Sequence, residues 1–168
     1  VTPDRETAVL VKVDPSTGKP LTMYSISADD AQSSIKGKFV IMDSDEDEYL
    51  AGAYTGSIGA KDHELSVFQS PLQSVYVAKF NAKGGIDWIN TIGSPIELGS
   101  TKSQETFSKG EIFSESRVMV TGSYTGSEIF CNNALDPVVV NSPTGADEDA
   151  FLVEYNSRGE IEELLRME

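Results

Sequence analysis

The sequence predicts an all-β fold built from repeated four-stranded antiparallel sheets. The phrase GAYTGS at Gly52–Ser57 returns almost unchanged as GSYTGS at Gly122–Ser127. A strand–turn–strand pattern occurs three times, as VLVKVDPSTGKPLTMY, VYVAKFNAKGGIDW and FLVEYNSRGEIEE. The chain has 14 glycines in 168 residues, and alternating apolar runs bounded by turn residues favour strands and hairpins. Internal repetition of this kind is typical of repeat architectures.

The first repeat unit contains only one hairpin. VLVKV and PLTMY are the two strands, and the turn between them carries Pro15 and Gly18. This hairpin corresponds to the second half of the later units. Residues 1–35 are therefore predicted to be the last half of a preceding sheet.

The middle unit, residues 36–104, contains four predicted strands. Each is short and rich in β-branched or aromatic residues, and clusters of Gly, Asn and Asp separate them. The acidic turn SDEDE follows the first strand, and a loop is predicted from Ile58 to Gln73. The predicted strands are Phe39–Asp43, Tyr49–Gly56, Ser74–Phe80 and Ile86–Ile92.

The last unit, residues 105–168, repeats this order with a longer loop, Glu128–Glu148. The segment EIEELLRME at its end is compatible with a strand or with a short helix. We expect a strand because its place in the repeat outweighs a local helix preference. The other predicted strands are Thr106–Glu115, Arg117–Gly126 and Asp149–Tyr155.

Four consecutive antiparallel strands form a meander, and meanders packed face to face around an axis are the blades of a β-propeller. The chain is predicted to hold about two and a half such blades, as a partial β-propeller. Gly52 and Gly122 occupy matching places in the second strand, where we expect a Cβ to collide with the next sheet. Tyr54 and Tyr124 lie on the same strand face as these glycines.

The segments YLAGAYTGS, VYVAKFNAKGGIDW, VMVTGSYTGS and DAFLVEYNSRGE resemble the SBBP-type bacterial β-propeller repeat. The first hairpin is also similar to a quinoprotein-type propeller repeat, with Met23 or Tyr24 near the place of that repeat's tryptophan. The resemblance implies a propeller fold, an inter-blade position for Trp88, and an extracellular or cell-surface location. It implies little about activity, since such repeats occur in many surface and secreted proteins.

The acidic charge excludes several classes of partner. The formal net charge is −14, which opposes binding to nucleic acid and to anionic membranes. No apolar run approaches the about 20 residues of a membrane span. Because about four to eight blades are needed for closure, and the first residue is Val1 and not Met, we expect a fragment of a longer chain or one part of a larger assembly.

The run DSDEDE offers the best candidate metal site. Asp43, Asp45 and Asp47 have the 1, 3, 5 spacing of calcium loops. However, Glu48 stands where such a loop needs Gly, and Tyr54 where it needs Glu. A weak calcium site and a solvated hairpin turn therefore remain alternatives.

No catalytic set is predicted. His63 is the only histidine and Cys131 the only cysteine, which excludes a zinc site in practice and leaves no nucleophile–base pair. A second acidic group, Asp147, Glu148 and Asp149, precedes a strand and is interpreted as structural. We therefore predict a non-enzymatic protein without a cofactor.

Together these observations predict a propeller-type repeat module that acts as a scaffold or protein-interaction surface. Its partner would be another protein, or further repeats that complete the propeller. Two alternatives remain: a carbohydrate-binding propeller with Trp88 as a stacking platform, and part of a quinoprotein-like propeller enzyme.

Overall fold

The computed structural model describes residues 5–60, 63–83, 85–93, 105–114, 117–125, 127–130, 138–141 and 149–167. Every regular element in these ranges is a β-strand, so no helix that could cross a membrane is found there. The all-β antiparallel fold class is confirmed. The strands are β1 (Thr7–Val13), β2 (Pro20–Ala28), β3 (Ser34–Met42), β4 (Glu48–Ala60), β5 (His63–Phe80), β6 (Ile86–Gly93), β7 (Glu105–Ser114), β8 (Arg117–Tyr124), β9 (Ser127–Phe130), β10 (Val138–Asn141), β11 (Asp149–Tyr155) and β12 (Ile161–Met167).

The strands form antiparallel sheets in which chain neighbours pair. In the middle unit β3, β4, β5 and β6 lie side by side, and in the last unit the order is β12-β11-β8-β7. In the first unit β1 pairs with β2. The helical alternative for the last segment is wrong, because β12 pairs with β11 along its whole length, with Leu165 opposite Leu152. The boundary predicted after residue 35 falls inside β3.

The three repeated hairpins share one turn design. In each turn the side-chain Oδ1 of an Asp or Asn accepts hydrogen bonds from backbone N–H groups two to four residues later. Asp14 accepts from Ser16 and Thr17, Asn81 accepts from Lys83 and Gly85, and Asn156 accepts from Arg158 and Glu160. An Asx side chain that substitutes for a backbone acceptor fixes the turn locally, so the same residue type recurs at this position.

The three hairpins also share a β-bulge next to the turn. In each hairpin the register shifts by one residue at the same point, directly after equivalent cross-strand pairs. These pairs are Lys12–Thr22, Lys79–Trp88 and Glu154–Glu163. Thr22 therefore occupies the position of Trp88 in the first hairpin. Met23 and Tyr24 follow this position by one and two residues.

The glycine of the repeated phrase lies opposite a bulge in the first strand of its own sheet. Gly52 pairs with Gly37 and Gly122 pairs with Phe107, and in both sheets the register shifts directly after the pair. A Cβ on Gly52 would meet the backbone carbonyl of Lys36 in β3. The expectation that it would meet the next sheet is therefore wrong for Gly52, since the close neighbour is a strand of the same sheet.

The segment predicted as a loop at Ile58–Gln73 is largely strand. β4 continues to Ala60 and β5 begins at His63, so the two strands form a long hairpin arm. The predicted loop Glu128–Glu148 likewise contains most of β9 and all of β10, which pair with each other. Both loop predictions are wrong where the structure describes these segments.

The arms connect successive units through backbone pairing. The end of β2 pairs with the end of β4, with Ser27 opposite Gly59. The end of β6 pairs with β9, with Gly93 opposite Ile129. These two pairs occupy equivalent positions in the repeat, so each unit is attached to the next in the same register.

The core lies on both faces of the middle sheet. One face packs against the first hairpin and the other against the last sheet. The first cluster comprises Ala8, Leu10, Tyr24, Ile26, Ala28, Ile35, Leu50, Tyr54, Ile58, Tyr76, Ala78, Phe80 and Ile89. The second comprises Tyr49, Ala51, Ala53, Val75, Val77, Trp88, Ile92, Val118, Val120, Tyr124, Phe151, Val153 and Tyr155. Burial on both faces explains the continuous apolar runs YLAGAY in β4 and VYVA in β5.

Candidate functional site

The acidic turn between β3 and β4 is organised by Asp43. Its Oδ1 accepts hydrogen bonds from the backbone N–H groups of Asp45 and Asp47, at 3.0 and 2.9 Å. Its Oδ2 accepts a hydrogen bond from the Tyr49 hydroxyl at 3.1 Å. Both carboxylate oxygens are thus used to hold the turn and to orient a buried tyrosine.

Asp47 forms the contact between this turn and the neighbouring hairpin. Its Oδ2 lies 2.8 Å from the Lys79 Nζ, and its Oδ1 accepts a hydrogen bond from the Ala82 N–H at 3.1 Å. The ammonium group of Lys79 is buried, 3.9 Å from Asp87 and 5.7 Å from the centre of the Tyr49 ring. A buried charge requires such partners. Asp47 therefore has a structural role, because its carboxylate neutralises the buried ammonium group of Lys79.

Tyr49 remains protonated beside these carboxylates. Burial raises the pKa of its hydroxyl far above the ordinary value, and the negative charge of Asp43 raises that pKa further. Burial alone also raises the pKa of Tyr76 far above its ordinary value. Both hydroxyls therefore act as neutral hydrogen-bond donors and not as bases.

The calcium site at Asp43, Asp45 and Asp47 stays a prediction. Within the described residues no group of three or more His, Cys, Asp or Glu side chains has an arrangement that could hold a metal ion. Two of the three proposed ligands already have protein partners, and only Asp45 is exposed to solvent. A cation at this turn would compete with Lys79 for the Asp47 carboxylate.

Lys12 connects the first hairpin to the same turn. Its Nζ lies 3.1 Å from Glu46 Oε2 and 3.4 Å from Glu48 Oε1. These contacts raise the pKa of Lys12, chiefly through the hydrogen bond to Glu46. The acidic turn therefore bridges the first and middle units.

Trp88 lies between the middle and last sheets, with an exposed fraction of 2%. Its Nε1–H donates a hydrogen bond to the Ser157 carbonyl at 3.1 Å, and its ring lies 5.7 Å from the Tyr155 ring. Asn90, two residues later in β6, donates to the Gly159 carbonyl at 2.6 Å. The indole ring is thus covered by the last hairpin and presents no face to a sugar.

The remaining residues singled out in the sequence do not form a constellation. Cys131, Asp147 and Glu148 lie outside the described residues. His63 is the first residue of β5. Asp149 is buried, and its Oδ2 lies 3.4 Å from Arg166 Nη2, which agrees with a structural role.

A shallow depression lies beside β3 and β4. Its lining includes Ser34, Lys36, Tyr54, Thr55 and Gln73. These side chains supply hydroxyls, one amide and one ammonium group. In the described part of the chain they include no carboxylate–histidine or nucleophile–base pair, so this lining shows no acid–base chemistry.

The most unusual surface is the outer side of the first hairpin, which we call the front face. It consists of five apolar side chains that project away from the middle unit: Val9, Val11, Val13, Leu21 and Met23. Their exposed fractions range from 45% to 70%. Isolated exposed apolar residues are normal, whereas these five side chains share one face of a two-stranded sheet.

The positions equivalent to the front face are buried in the other two hairpins. Alignment on Asp14, Asn81 and Asn156 places each valine of β1 on two core residues. The aligned sets are Val9 with Tyr76 and Phe151, Val11 with Ala78 and Val153, and Val13 with Phe80 and Tyr155. The valines are 45–50% exposed, whereas their six counterparts are at most 1% exposed.

The reason for this difference is the presence of a preceding sheet. Phe80 stacks on Tyr24 of the first unit, with ring centres 4.9 Å apart, and Tyr155 packs on Trp88 of the middle unit. The described structure contains no unit in front of Val13. Comparison of the three hairpin sequences could have identified the front face, because the same apolar pattern predicts that the same side of each hairpin is buried.

Comparisons with protein-family models, with curated proteins and with solved structures found no match for this chain. The similarity to SBBP-type and quinoprotein-type repeats therefore stays a prediction from the quoted segments.

Proposed function

We propose that this chain is a non-enzymatic, propeller-like repeat module that acts as a scaffold or protein-interaction surface within a longer chain or a larger assembly. The carrying observation is the front face, where Val9, Val11 and Val13 are exposed at positions that are buried against a preceding sheet in both other units. An exposed apolar sheet face gains free energy when another protein surface covers it.

The two alternative functions receive less support from the site. A carbohydrate platform needs an accessible ring face, and Trp88 is covered by Tyr49, Tyr155 and the Ser157–Gly159 turn. A quinoprotein-like enzyme needs acid–base or metal-binding groups gathered in one place. The acidic turn instead uses its carboxylates on backbone N–H groups and on Lys79.

The proposal is tested by the mass of the native protein, measured by size-exclusion chromatography with light scattering. We expect an assembly or a longer chain, with a mass above that of one 168-residue chain. In an assembly, the double variant Val11→Lys/Met23→Lys should release free monomer while it leaves the fold of the chain unchanged, because both side chains are already exposed.

Ala82→Lys is the matched control. It adds a positive charge at an exposed turn outside the front face, and it should leave the native mass unchanged. A native protein that is a monomer of this one chain, with no partner lost in the double variant, would contradict the proposal.

A further inference from the structure

The outer edge of β1 lacks a neighbouring strand that its equivalents possess. In the middle sheet β5 lies between β4 and β6, and in the last sheet β11 lies between β8 and β12. Among the described residues β1 pairs with β2 alone. One side of β1 therefore ends the sheet, next to the front face.

The backbone groups of alternate residues are directed to this edge. Glu6 accepts a hydrogen bond from the Ala28 N–H, and the Asp14 N–H donates to the Lys19 carbonyl. Both bonds are made on the side of β1 that faces β2. Both belong to even-numbered residues, one before β1 and one after it. Because successive residues of an antiparallel strand turn to opposite sides, Val9 and Val11 direct their N–H and C=O groups outward.

Within the described ranges, β1 lacks three of the usual protections against strand addition. Exposed edges are commonly blocked by proline, by a lysine that projects over the edge, or by a short strand. The sequence of β1, TAVLVKV, contains no proline and seven residues. Its lysine, Lys12, is directed to Glu46 and Glu48 of the middle unit.

The other two sheets show which strand occupies this position and in which register. In each, the strand that carries the repeated phrase pairs with the equivalent of β1, with the glycine of the phrase opposite an aromatic residue. The pairs are Gly52–Tyr76, Leu50–Ala78 and Tyr54–Ser74 in the middle sheet, and Gly122–Phe151, Val120–Val153 and Tyr124–Asp149 in the last. The register is identical, and Val9 is the equivalent of Tyr76 and Phe151.

We propose that the outer edge of β1 binds an extended strand of the G-x-Y-T-G type, antiparallel, with the glycine of that strand opposite Val9. The bound strand would carry an apolar residue two positions before the glycine and a tyrosine two positions after it. This is β-strand addition, in which main-chain hydrogen bonds supply affinity and alternate side chains supply specificity. This inference rests on the proposed function and adds the chemistry of the partner.

The tyrosine of the bound strand has a defined place to pack. In the middle sheet the rings of Tyr54 and Tyr76 meet edge to face, with centres 6.5 Å apart, and Tyr124 meets Phe151 at 6.3 Å. In the proposed complex the equivalent tyrosine would lie over Val9 and cover part of the front face.

A second folded copy of this chain is not the proposed occupant. Its own G-x-Y-T-G strands, β4 and β8, are already paired on both edges. The strand must therefore come from a segment that is not yet part of a sheet. Self-association of the chain is one of the outcomes that the test distinguishes.

The test is a titration of the chain into a fluorescently labelled peptide with the sequence of Arg117–Ser127, RVMVTGSYTGS, followed by anisotropy. We expect saturable binding, and at least about tenfold weaker binding of a peptide with the same residues in scrambled order. Val9→Pro should weaken binding by about tenfold or more, because it removes one outward N–H without removing a hydrogen bond to β2.

Val9→Thr is the matched control, since threonine keeps the N–H and the strand preference. It should bind within about threefold of the original chain. Amide hydrogen exchange supplies a readout that does not depend on variants: the peptide should slow exchange at Val9 and Val11 and leave Leu10, which faces β2, unchanged.

Several results would overturn the inference. One is that the peptide shows no saturable binding at chain concentrations up to about millimolar. Another is that a folded Val9→Pro variant binds the peptide as tightly as the original chain does. A third is that the peptide slows amide exchange at residues outside the β1 edge. Self-association that the peptide does not displace would assign this surface to a second copy and would also overturn it. The proposed function is judged separately, by the native mass, so a large assembly without peptide binding would remove only this inference.

Discussion

The backbone carbonyl of Lys36 occupies the space in which a Cβ on Gly52 would stand. The two residues lie on adjacent strands, at the point where β3 bulges and its register with β4 shifts. The same shift occurs opposite Gly122 in the last sheet. The repeated phrase therefore occurs in both sheets because its glycine lies opposite the same bulge in each.

Gly52→Ala should destabilise the chain. The added methyl group must displace the Lys36 backbone, and overpacking of this kind costs about 1–3 kcal/mol. Urea unfolding followed by fluorescence measures the change in the free energy of unfolding. Gly85→Ala is the control, because the nearest atoms to a Cβ there belong to the Asn81 side chain, the closest at 3.1 Å, and none is backbone. A Gly52→Ala variant as stable as Gly85→Ala would contradict the close approach of β3.

Gly159→Ala should separate the last hairpin from the middle sheet. Gly159 has a φ of 78°, and a Cβ there would stand 2.7 Å from the Trp88 ring. Gly18, in the equivalent turn, has a φ of 69° with open space around it. Gly18→Ala should therefore show only the backbone cost of about 1–2 kcal/mol, and Gly159→Ala a further 1–3 kcal/mol, roughly, from the collision.

Equal losses of unfolding free energy in these two variants would show that the Gly159 turn does not press on Trp88. Tryptophan fluorescence provides a second readout, since only Gly159→Ala should shift the emission of Trp88 to longer wavelength as water reaches the ring.

Stability should fall in acid partly through Asp30. The Ser33 hydroxyl donates a hydrogen bond to Asp30 Oδ1 at 2.8 Å, and with the Gln32 N–H it lowers the pKa of this carboxyl below its ordinary value of 3.8. A group with a lowered folded-state pKa contributes stability above its unfolded pKa and loses it as the pH falls through the folded pKa. Asp30→Asn should flatten the dependence of the urea midpoint on pH below about pH 4. An unchanged slope in this variant would refute the assignment.

Calcium should not bind tightly at the acidic turn. Asp43 accepts two backbone hydrogen bonds and one from Tyr49, and Asp47 is paired with Lys79, so a cation must displace these partners. Calorimetric titration with calcium chloride should show no saturable heat up to about millimolar concentration. Saturable heat that disappears in Asp45→Asn would establish the site predicted from the 1, 3, 5 spacing.

The regular parts of the fold follow directly from the sequence. Asp149–Tyr155 is a strand with the predicted bounds, and the ambiguous segment after Gly159 is a strand because β11 supplies its backbone partners. The local sequence pattern was sufficient to predict these strands, because each of them pairs with a neighbour in the chain. A turn was predicted in each hairpin, and the structure adds that the side chains of Asp14, Asn81 and Asn156 organise these turns.

Features that depend on contacts between units could not be predicted in this way. The arm that continues β4 to Ala60 is stabilised by pairing with β2, with Ser27 opposite Gly59, and its glycine-containing sequence, SIGA, resembles a loop. The bulges next to Lys12 and opposite Gly52 insert one residue without a distinctive sequence. The acids of DSDEDE left a weak calcium site and a solvated turn as alternatives, and the contacts of Asp43 and Asp47 within the fold could not be predicted from their spacing.

Amide hydrogen exchange of the chain alone, followed by NMR, tests the central claim most directly. Val9 and Val11 lie on an open edge, whereas their equivalents Tyr76 and Ala78 lie between two strands. We expect Val9 and Val11 to exchange far faster than Leu10 in the same strand, and Tyr76 and Ala78 to exchange as slowly as Val77. Protection of Val9 and Val11 equal to that of Tyr76 and Ala78 would contradict the open edge of the first unit.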